Sequence, residues 1–200
     1  MIYYTYVQGR LMRIILASNS PRRKELLAQL GVTFEVIPSK FEEQAVGLPP
    51  SKLVEHFAYM KGSDVAQSIQ GEALVIGSDT IVFLDEIMGK PKHREDAFNM
   101  LKKLSGKQHQ VLSGLSVINT LTGESLTGYE CTKVKMKELS DAEITAYINT
   151  GEPMDKAGAY AIQGMGSLFV EGIEGDYFNV VGLPLFRLGK MLEYFGMKLL

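Results

Sequence analysis

Ile14-Ile15-Leu16-Ala17-Ser18-Asn19-Ser20-Pro21-Arg22-Arg23-Lys24-Glu25-Leu26-Leu27 decides the fold. Its apolar start reads as a strand that runs into a helix, with Ser20 as N-cap and Pro21 at the first helical position. Three cations then sit in the first turn, at the positive end of the helix dipole. Each such placement costs about 0.3–1 kcal/mol when exposed. The cluster makes physical sense if an anion docks on the free backbone N–H groups, the serine hydroxyls and the guanidinium forks. Successive helical residues point about 100° apart, so the three cannot all face one ligand. Arg22 and Arg23 are taken as the ligand-facing pair and Lys24 as a solvated neighbour.

Outward from this segment, Gly31 closes the helix and Thr33–Ile37 reads as a second strand, a β-α-β opening. A polar connection over Pro38–Pro50 leads to a helix from about Ser51 to Gln70, with Leu53, Val54, Phe57 and Val65 on its apolar stripe. Ala73–Leu84 is the most apolar stretch and reads as a long strand; Asp85-Glu86 turns it back through Ile87-Met88. A helix is expected at Glu95–Leu104, and strands at Gln110–Ile118 and Leu126–Lys137 around Thr122-Gly123. Lys133, Lys135 and Lys137 alternate with Val134 and Met136, the mark of a half-buried strand. Ser140-Asp141-Ala142-Glu143 is a capping box opening a helix to about Ile148. Leu168–Ile173 and Tyr177–Val181 read as paired strands around Glu174-Gly175, and Leu185–Phe195 as the last helix. Hairpin and helical connections together predict an α/β fold, a mixed sheet flanked by helices.

The 200 residues suffice for one domain or two small lobes sharing a sheet. A net charge of −2 argues against polymeric nucleic acid and favours a small phosphorylated ligand. The single cysteine, Cys131, excludes an internal disulfide and a cysteine-based zinc site. His56, His93 and His109 lack metal-ligand spacing and read as exposed or satisfied side chains. No apolar run approaches a membrane span and no signal peptide is evident, which points to the cytoplasm. Residues 1–12 read as an N-terminal extension, or a misassigned start, ahead of one domain over 13–200.

Asp79 lies in sequence that otherwise favours burial. A buried carboxylate must be paired, protonated or metal-bound, so it is either a satisfied structural acid or a catalytic base or metal ligand. Lys61 falls on the apolar stripe of its helix, where its ammonium either snorkels to the surface or points into a site. Lys90, in Gly89-Lys90-Pro91, is a surface lysine or reaches back towards Asp79. Glu42 and Glu43 are solvated acids or loop ligands for a divalent cation. Gly158 and Gly164 allow close backbone approach, and Gln163 between them reads a base edge or marks a strand bend.

Together, Ser18-x-Ser20-Pro21-Arg22-Arg23, Glu42-Glu43, Lys61, Gly77-Ser78-Asp79-Thr80, Lys90-Pro91, Asp155-Lys156-Ala157-Gly158-Ala159-Tyr160-x-Ile162-Gln163-Gly164 and Val181-Gly182-Leu183-Pro184 resemble the Maf family of nucleoside triphosphate pyrophosphatases. The match runs from about Arg13 to Phe195. The resemblance implies a fold like that of inosine triphosphatase-like enzymes, with two lobes around a cleft, and a homodimer. It also implies cleavage between the α and β phosphates with a divalent cation, Mg2+ or Mn2+. Asp79-Thr80 and Ile162-Gln163-Gly164 look like the branch acting on dTTP and UTP; Arg22, Thr80 and Gln163 look like specificity positions. Gly62, where an alanine is expected after the lysine, departs from the pattern and is read as loosening that turn by up to ~1 kcal/mol.

On that resemblance, Ser18, Ser20, Arg22 and Arg23 hold the triphosphate, while Glu43 and Asp79 place the cation. Asp79 also orients or deprotonates the attacking water, and Lys61 and Lys90 offset charge on the phosphoryl oxygens and the departing pyrophosphate. The rival readings are a 7-methyl-GTP pyrophosphatase and a nucleotide-binding regulator of septum formation.

Overall fold

The computed structural model describes residues 5–7, 10–44 and 46–200. Eight strands and six helices occur among them, with 3-10 segments between Glu152 and Phe169. The strand order is β1 (Thr5–Val7), β2 (Arg10–Leu16), β4 (Ala73–Leu84), β6 (Gln108–Asn119), β7 (Ser125–Met136) and β8 (Val170–Glu174). β3 (Glu35–Val36) pairs with β2, and β5 (Glu86–Met88) with β4. β2 runs parallel to both β3 and β4, whereas β5 returns antiparallel on β4, so the sheet is mixed as expected.

The chain divides into two compact units. The first comprises Met1–Asp79, Ser113–Glu130 and Gly182–Leu200. It contains the expected β-α-β opening: β2, α1 (Pro21–Gln29), then β3, followed by α2 (Pro50–Ala66). β2 is buried on both faces, with Ile14, Ile15 and Leu16 at 0% exposure, because helices and strands cover it. Arg13 ties β2 to β3 through a two-pronged pairing with Glu35, Nε to Oε1 at 2.8 Å and Nη2 to Oε2 at 3.1 Å. Thr5–Val7, inside the expected extension, pairs antiparallel with β2. The β6–β7 turn is held by Asn119, whose Oδ1 accepts from the N–H of Leu121 and of Thr122. α6 (Leu185–Tyr194) closes this unit.

The second unit comprises Thr80–Leu112 and Cys131–Val181. Its core gathers Ala97, Leu101 and Leu104 of α3 (Arg94–Leu104) with Val134 and Met136 of β7 and Ile144, Tyr147 and Ile148 of α4 (Asp141–Asn149). α4 starts at the expected capping box: Ser140 Oγ accepts from Glu143 N–H at 3.3 Å, and Glu143 Oε2 accepts from Ser140 N–H at 2.9 Å. The lysine alternation in β7 is realised, with Lys133 and Lys135 exposed and Val134 and Met136 buried.

The sequence expectation fails near the C-terminal end of this unit. Residues 164–169 form 3-10 turns, β8 covers only Val170–Glu174, and Tyr177–Val181 is a helical turn, α5, not a strand. β8 takes its partner from β7. Asp176 Oδ1 accepts from Phe178 N–H at 2.7 Å and starts the turn, and Asn179 sends its amide inward to Val111 O and Thr132 Oγ1, both at 2.9 Å. Those side-chain bonds outweigh the strand preference of Val180-Val181. α2 is also shorter than expected, since Ser68 Oγ bonds back to Val65 O just beyond its end. Among the described residues no helix is long and apolar enough to cross a membrane.

Candidate active site

Backbone approach, not side-chain reach alone, places Lys61. A Cβ at Gly77 of β4 would stand 2.1 Å from Ala58 O and 2.8 Å from Gly62 N. A Cβ at Gly114 of β6 would stand 1.9 Å from Val54 O. These bare positions let α2 settle directly on β4 and β6. Gly62 belongs to the same contact: an added Cβ would meet Ile118 Cδ1 at 3.2 Å and Gly77 Cα at 3.6 Å. Beside the looser turn read from the sequence, Gly62 therefore also forms part of a close helix–strand seat.

Asp79 lies two residues beyond Gly77, so the strand period turns both towards α2. Lys61 Nζ donates to Asp79 Oδ1 at 2.7 Å and to Glu43 Oε1 at 2.5 Å. The side chains are 16% exposed at Lys61, 8% at Asp79 and 49% at Glu43. Of the two readings left open for Lys61, the ammonium points into a site. Asp79 is paired, but only through one oxygen. Its Oδ2 is buried and has no hydrogen-bond partner. A buried carboxylate oxygen left bare is costly, and such an atom marks a place meant for a ligand, a proton or an ion.

The Ser18–Arg23 segment frames the same aspartate. Arg23 Nε donates to Gly182 O at 2.9 Å, and Nη1 donates to Ser78 O at 2.8 Å and to Ser18 Oγ at 3.3 Å. Ser78 Oγ also donates to Gly182 O, at 3.2 Å. Arg23 thus holds the carbonyl immediately before Asp79. Burial pulls its pKa down from the ordinary arginine value, and the charge of Asp79 opposes that pull. Ser20 stands at the N-cap position of α1, yet its side chain makes no capping bond; its N–H donates to Ser18 Oγ at 3.2 Å. Arg22 and Lys24 are half-buried on the same first turn, and Glu42 is exposed.

Within the first unit, direct hydrogen bonds join Ser18 to Arg23 and, separately, Glu43 and Asp79 to Lys61; the two sets meet at the Ser78 carbonyl, which Arg23 holds and which immediately precedes Asp79. Thr80, Lys90 and Gln163 belong to the second unit. Thr80 is half-buried, Lys90 is exposed just after β5, and Gln163 is half-buried at the head of the 3-10 turns. The residue before Lys90 is anchored by Gly158, whose N–H donates to Gly89 O at 3.0 Å. Gly158 has φ +66°, and a Cβ there would meet Val82 Cγ2 at 2.9 Å, the close approach its sequence context implies. The alternative reading of Gln163 as a strand bend is set aside, because no strand runs through 157–169.

Among the described residues no group of three or more His, Cys, Asp or Glu is arranged to hold a metal ion. Glu43 and Asp79 nevertheless suit a hard cation that completes its shell with substrate phosphate and water. The bare, buried Asp79 Oδ2 is the observation that favours this fit.

Two groups escaped the sequence reading. His109 is buried, with Nε2 2.6 Å from Tyr160 Oη and Nδ1 without a partner, so it is not the exposed or satisfied histidine expected. Burial lowers its pKa to about 4. Glu152 accepts from Tyr147 Oη at 2.8 Å and from two backbone N–H groups beyond Gln163. Neither residue has a periodic or motif signal, because its partners lie 51 and up to 14 positions away.

A family model described as Maf-like protein matches residues 13–195. A dTTP/UTP pyrophosphatase of Acetivibrio thermocellus is 52% identical over 197 residues, covering 95% of this chain and 98% of its own length. Proteins of the same name from Alkaliphilus oremlandii and Clostridium perfringens are 52% and 46% identical, covering 95% and 94% of this chain and 100% of each relative. Among solved structures, a nucleoside-triphosphatase / dITP/XTP pyrophosphatase from Mycobacterium abscessus gives a TM-score of 0.43 at 14% identity, covering 62% of this chain and 74% of that one. The Staphylococcus aureus Ham1 protein gives 0.43 at 17% identity, with 62% and 71% coverage.

Proposed function

The chain belongs to the Maf family, and from that premise we propose that it hydrolyses dTTP and UTP to the nucleoside monophosphate and pyrophosphate. The observation that carries the chemistry is Asp79, buried, held through Oδ1 by Lys61 and bare at Oδ2. The relatives' shared name, over nearly the whole chain at about half identity, supports the choice of nucleotide.

In this reading Ser18, Ser20, Arg22 and the first N–H groups of α1 hold the triphosphate. Arg23 contributes charge there while its bonds to Ser78 O and Gly182 O keep the Asp79 frame in place. Asp79 orients or deprotonates the water that attacks the α-phosphorus. The bond from that phosphorus to the bridging oxygen breaks, and pyrophosphate leaves with the electron pair. Lys61 fixes which carboxylate oxygen is available and balances the negative charge of Glu43 and Asp79. Lys90 offsets charge on the departing pyrophosphate, and Thr80 and Gln163 read the base. A divalent cation, Mg2+ or Mn2+, held by Glu43 and Asp79, would supply charge neutralisation on the phosphates.

The test is product release from a nucleotide panel, with Mg2+, with Mn2+ and with chelator, for the parent protein and for Asp79→Asn. Pyrophosphate is expected, fastest from dTTP and UTP and dependent on the cation. Asp79→Asn should lose about 10²–10⁴-fold in kcat while remaining folded. Orthophosphate as product, or near-parental turnover by folded Asp79→Asn, would overturn the reading.

A further inference from the structure

Gln163 occupies the N-cap position of the 3-10 turns at Gly164–Phe169, yet its side chain makes no capping bond. The capping is done from elsewhere in the chain. Glu152 Oε2 accepts from Met165 N–H at 3.1 Å, and Oε1 accepts from Gly166 N–H at 3.1 Å and from Tyr147 Oη at 2.8 Å. One carboxylate thus satisfies the first donors of the turn that an N-cap side chain would otherwise take.

The fit is close. Gly164 has φ +69°, and a Cβ on it would stand 2.7 Å from Glu152 Oε2, so only glycine lets the chain pass the carboxylate here. Gly166 is equally constrained, with a built Cβ 2.6 Å from Tyr147 Oη. Tyr147 is itself wedged edge-on against Phe169, ring centroids 5.0 Å apart. Burial pushes the Glu152 carboxyl up, but the Tyr147 hydroxyl and the two N–H groups outweigh it and hold it below the usual range. It is therefore a carboxylate acceptor throughout the neutral pH range.

We propose that Glu152 is a specificity-positioning residue: by capping the turn after Gln163 it leaves that amide uncommitted and fixes where its backbone sits. This rests on the reading of Gln163 as the residue that meets the pyrimidine edge. An amide offers both a donor and an acceptor, so it tells uracil from cytosine by placement rather than by chemical type. A turn free to shift would cost discrimination before it cost chemistry.

Glu152→Gln tests this with nearly constant shape. A carboxamide has one acceptor oxygen, so one of Met165 N–H and Gly166 N–H must face an NH2 group. The readouts are kcat/KM for UTP and for CTP, and amide hydrogen exchange at Met165 and Gly166. The UTP/CTP ratio is expected to fall about tenfold, mostly through KM for UTP, with exchange at both amides accelerated. Tyr147→Phe removes only the phenol bond and should leave the ratio within twofold. If Glu152→Gln does not fold, Glu152→Asp, with its carboxylate drawn back by one methylene, should show an intermediate loss of the ratio. An unchanged ratio in folded Glu152→Gln or Glu152→Asp, or an equal loss for UTP and CTP, overturns the proposal. Gln163→Ala separates the two claims: if it lowers the ratio while the Glu152 variants do not, the positioning role alone fails. If Gln163→Ala leaves the ratio intact, base reading by Gln163 fails and the positioning role with it.

Discussion

Gly77→Ala puts one methyl group where α2 rests on β4. That methyl would lie 2.1 Å from Ala58 O, and ordinary contact begins at 3.4 Å, so about 1.3 Å of separation is missing. The obstructing atoms are backbone, in Ala58 and Gly62, and no side-chain rotation relieves them. The helix must lift or the strand must bow by about 1 Å. Lys61 follows its helix and Asp79 its strand, so their 2.7 Å bond is stretched beyond hydrogen-bonding range. Overpacking of this kind costs about 1–3 kcal/mol of stability, and a 1 Å displacement of catalytic groups costs about 10²-fold in rate. Urea unfolding and pyrophosphate release from UTP measure the two losses on one preparation. Gly172→Ala, in open space on β8, serves as the matched control: it should leave turnover unchanged and stability equal to or slightly above that of the parent. If Gly77→Ala unfolds within about 0.5 kcal/mol of the parent and turns over within about twofold of it, the glycine seat does not determine the Lys61–Asp79 geometry.

Two further outcomes follow from groups away from Asp79. Gly189 lies inside α6 with nothing within 4 Å of a built Cβ, so Gly189→Ala should stabilise the protein by about 0.5–1 kcal/mol in urea unfolding. His109 binds a proton near 6.5 when unfolded but only at about 4 when folded, because burial disfavours the cation. Between those values the unfolded chain holds more protons, so stability is full above pH 6.5 and falls as pH drops towards 4, by at most about 3 kcal/mol. His109→Leu should flatten that window in pH-dependent unfolding, even though it leaves Tyr160 Oη without this partner. Glu143, held down to about 2 by Lys137 and Ser140, loses its stabilisation as pH falls from 4.5 towards 2, so it overlaps only the acid end of the His109 window.

Much of the architecture was legible because it rests on local rules. The strand at Ala73–Leu84 is where the apolar run puts it, α4 starts at its capping box, and Pro21 opens α1. The β-branched pair Val180-Val181 misled because periodicity cannot see Asp176 and Asn179 diverting their side chains to a turn start and to Thr132. At the site, a carboxylate in apolar sequence was enough to single out Asp79, and a lysine on an apolar stripe to single out Lys61. Their pairing was not legible, and neither was the use of Arg23 to hold backbone carbonyls.

By itself the sequence determined which residues were out of place for a simple core: cations at the wrong end of a helix, an acid in a strand and a lysine on an apolar stripe. Each is a local mismatch between side-chain chemistry and surroundings, and mismatches of that kind are visible along the chain. The tertiary structure alone decided that Gly77 and Gly114 let α2 sink onto the strands, that Lys61 takes one oxygen of Asp79 and leaves the other bare, and that Glu152 caps a turn headed by Gln163. Those facts depend on backbones packed too closely to admit a Cβ and on side chains that meet partners 13 to 18 positions away. Hydrophobic periodicity records which face of an element is buried, not the distance at which two backbones meet.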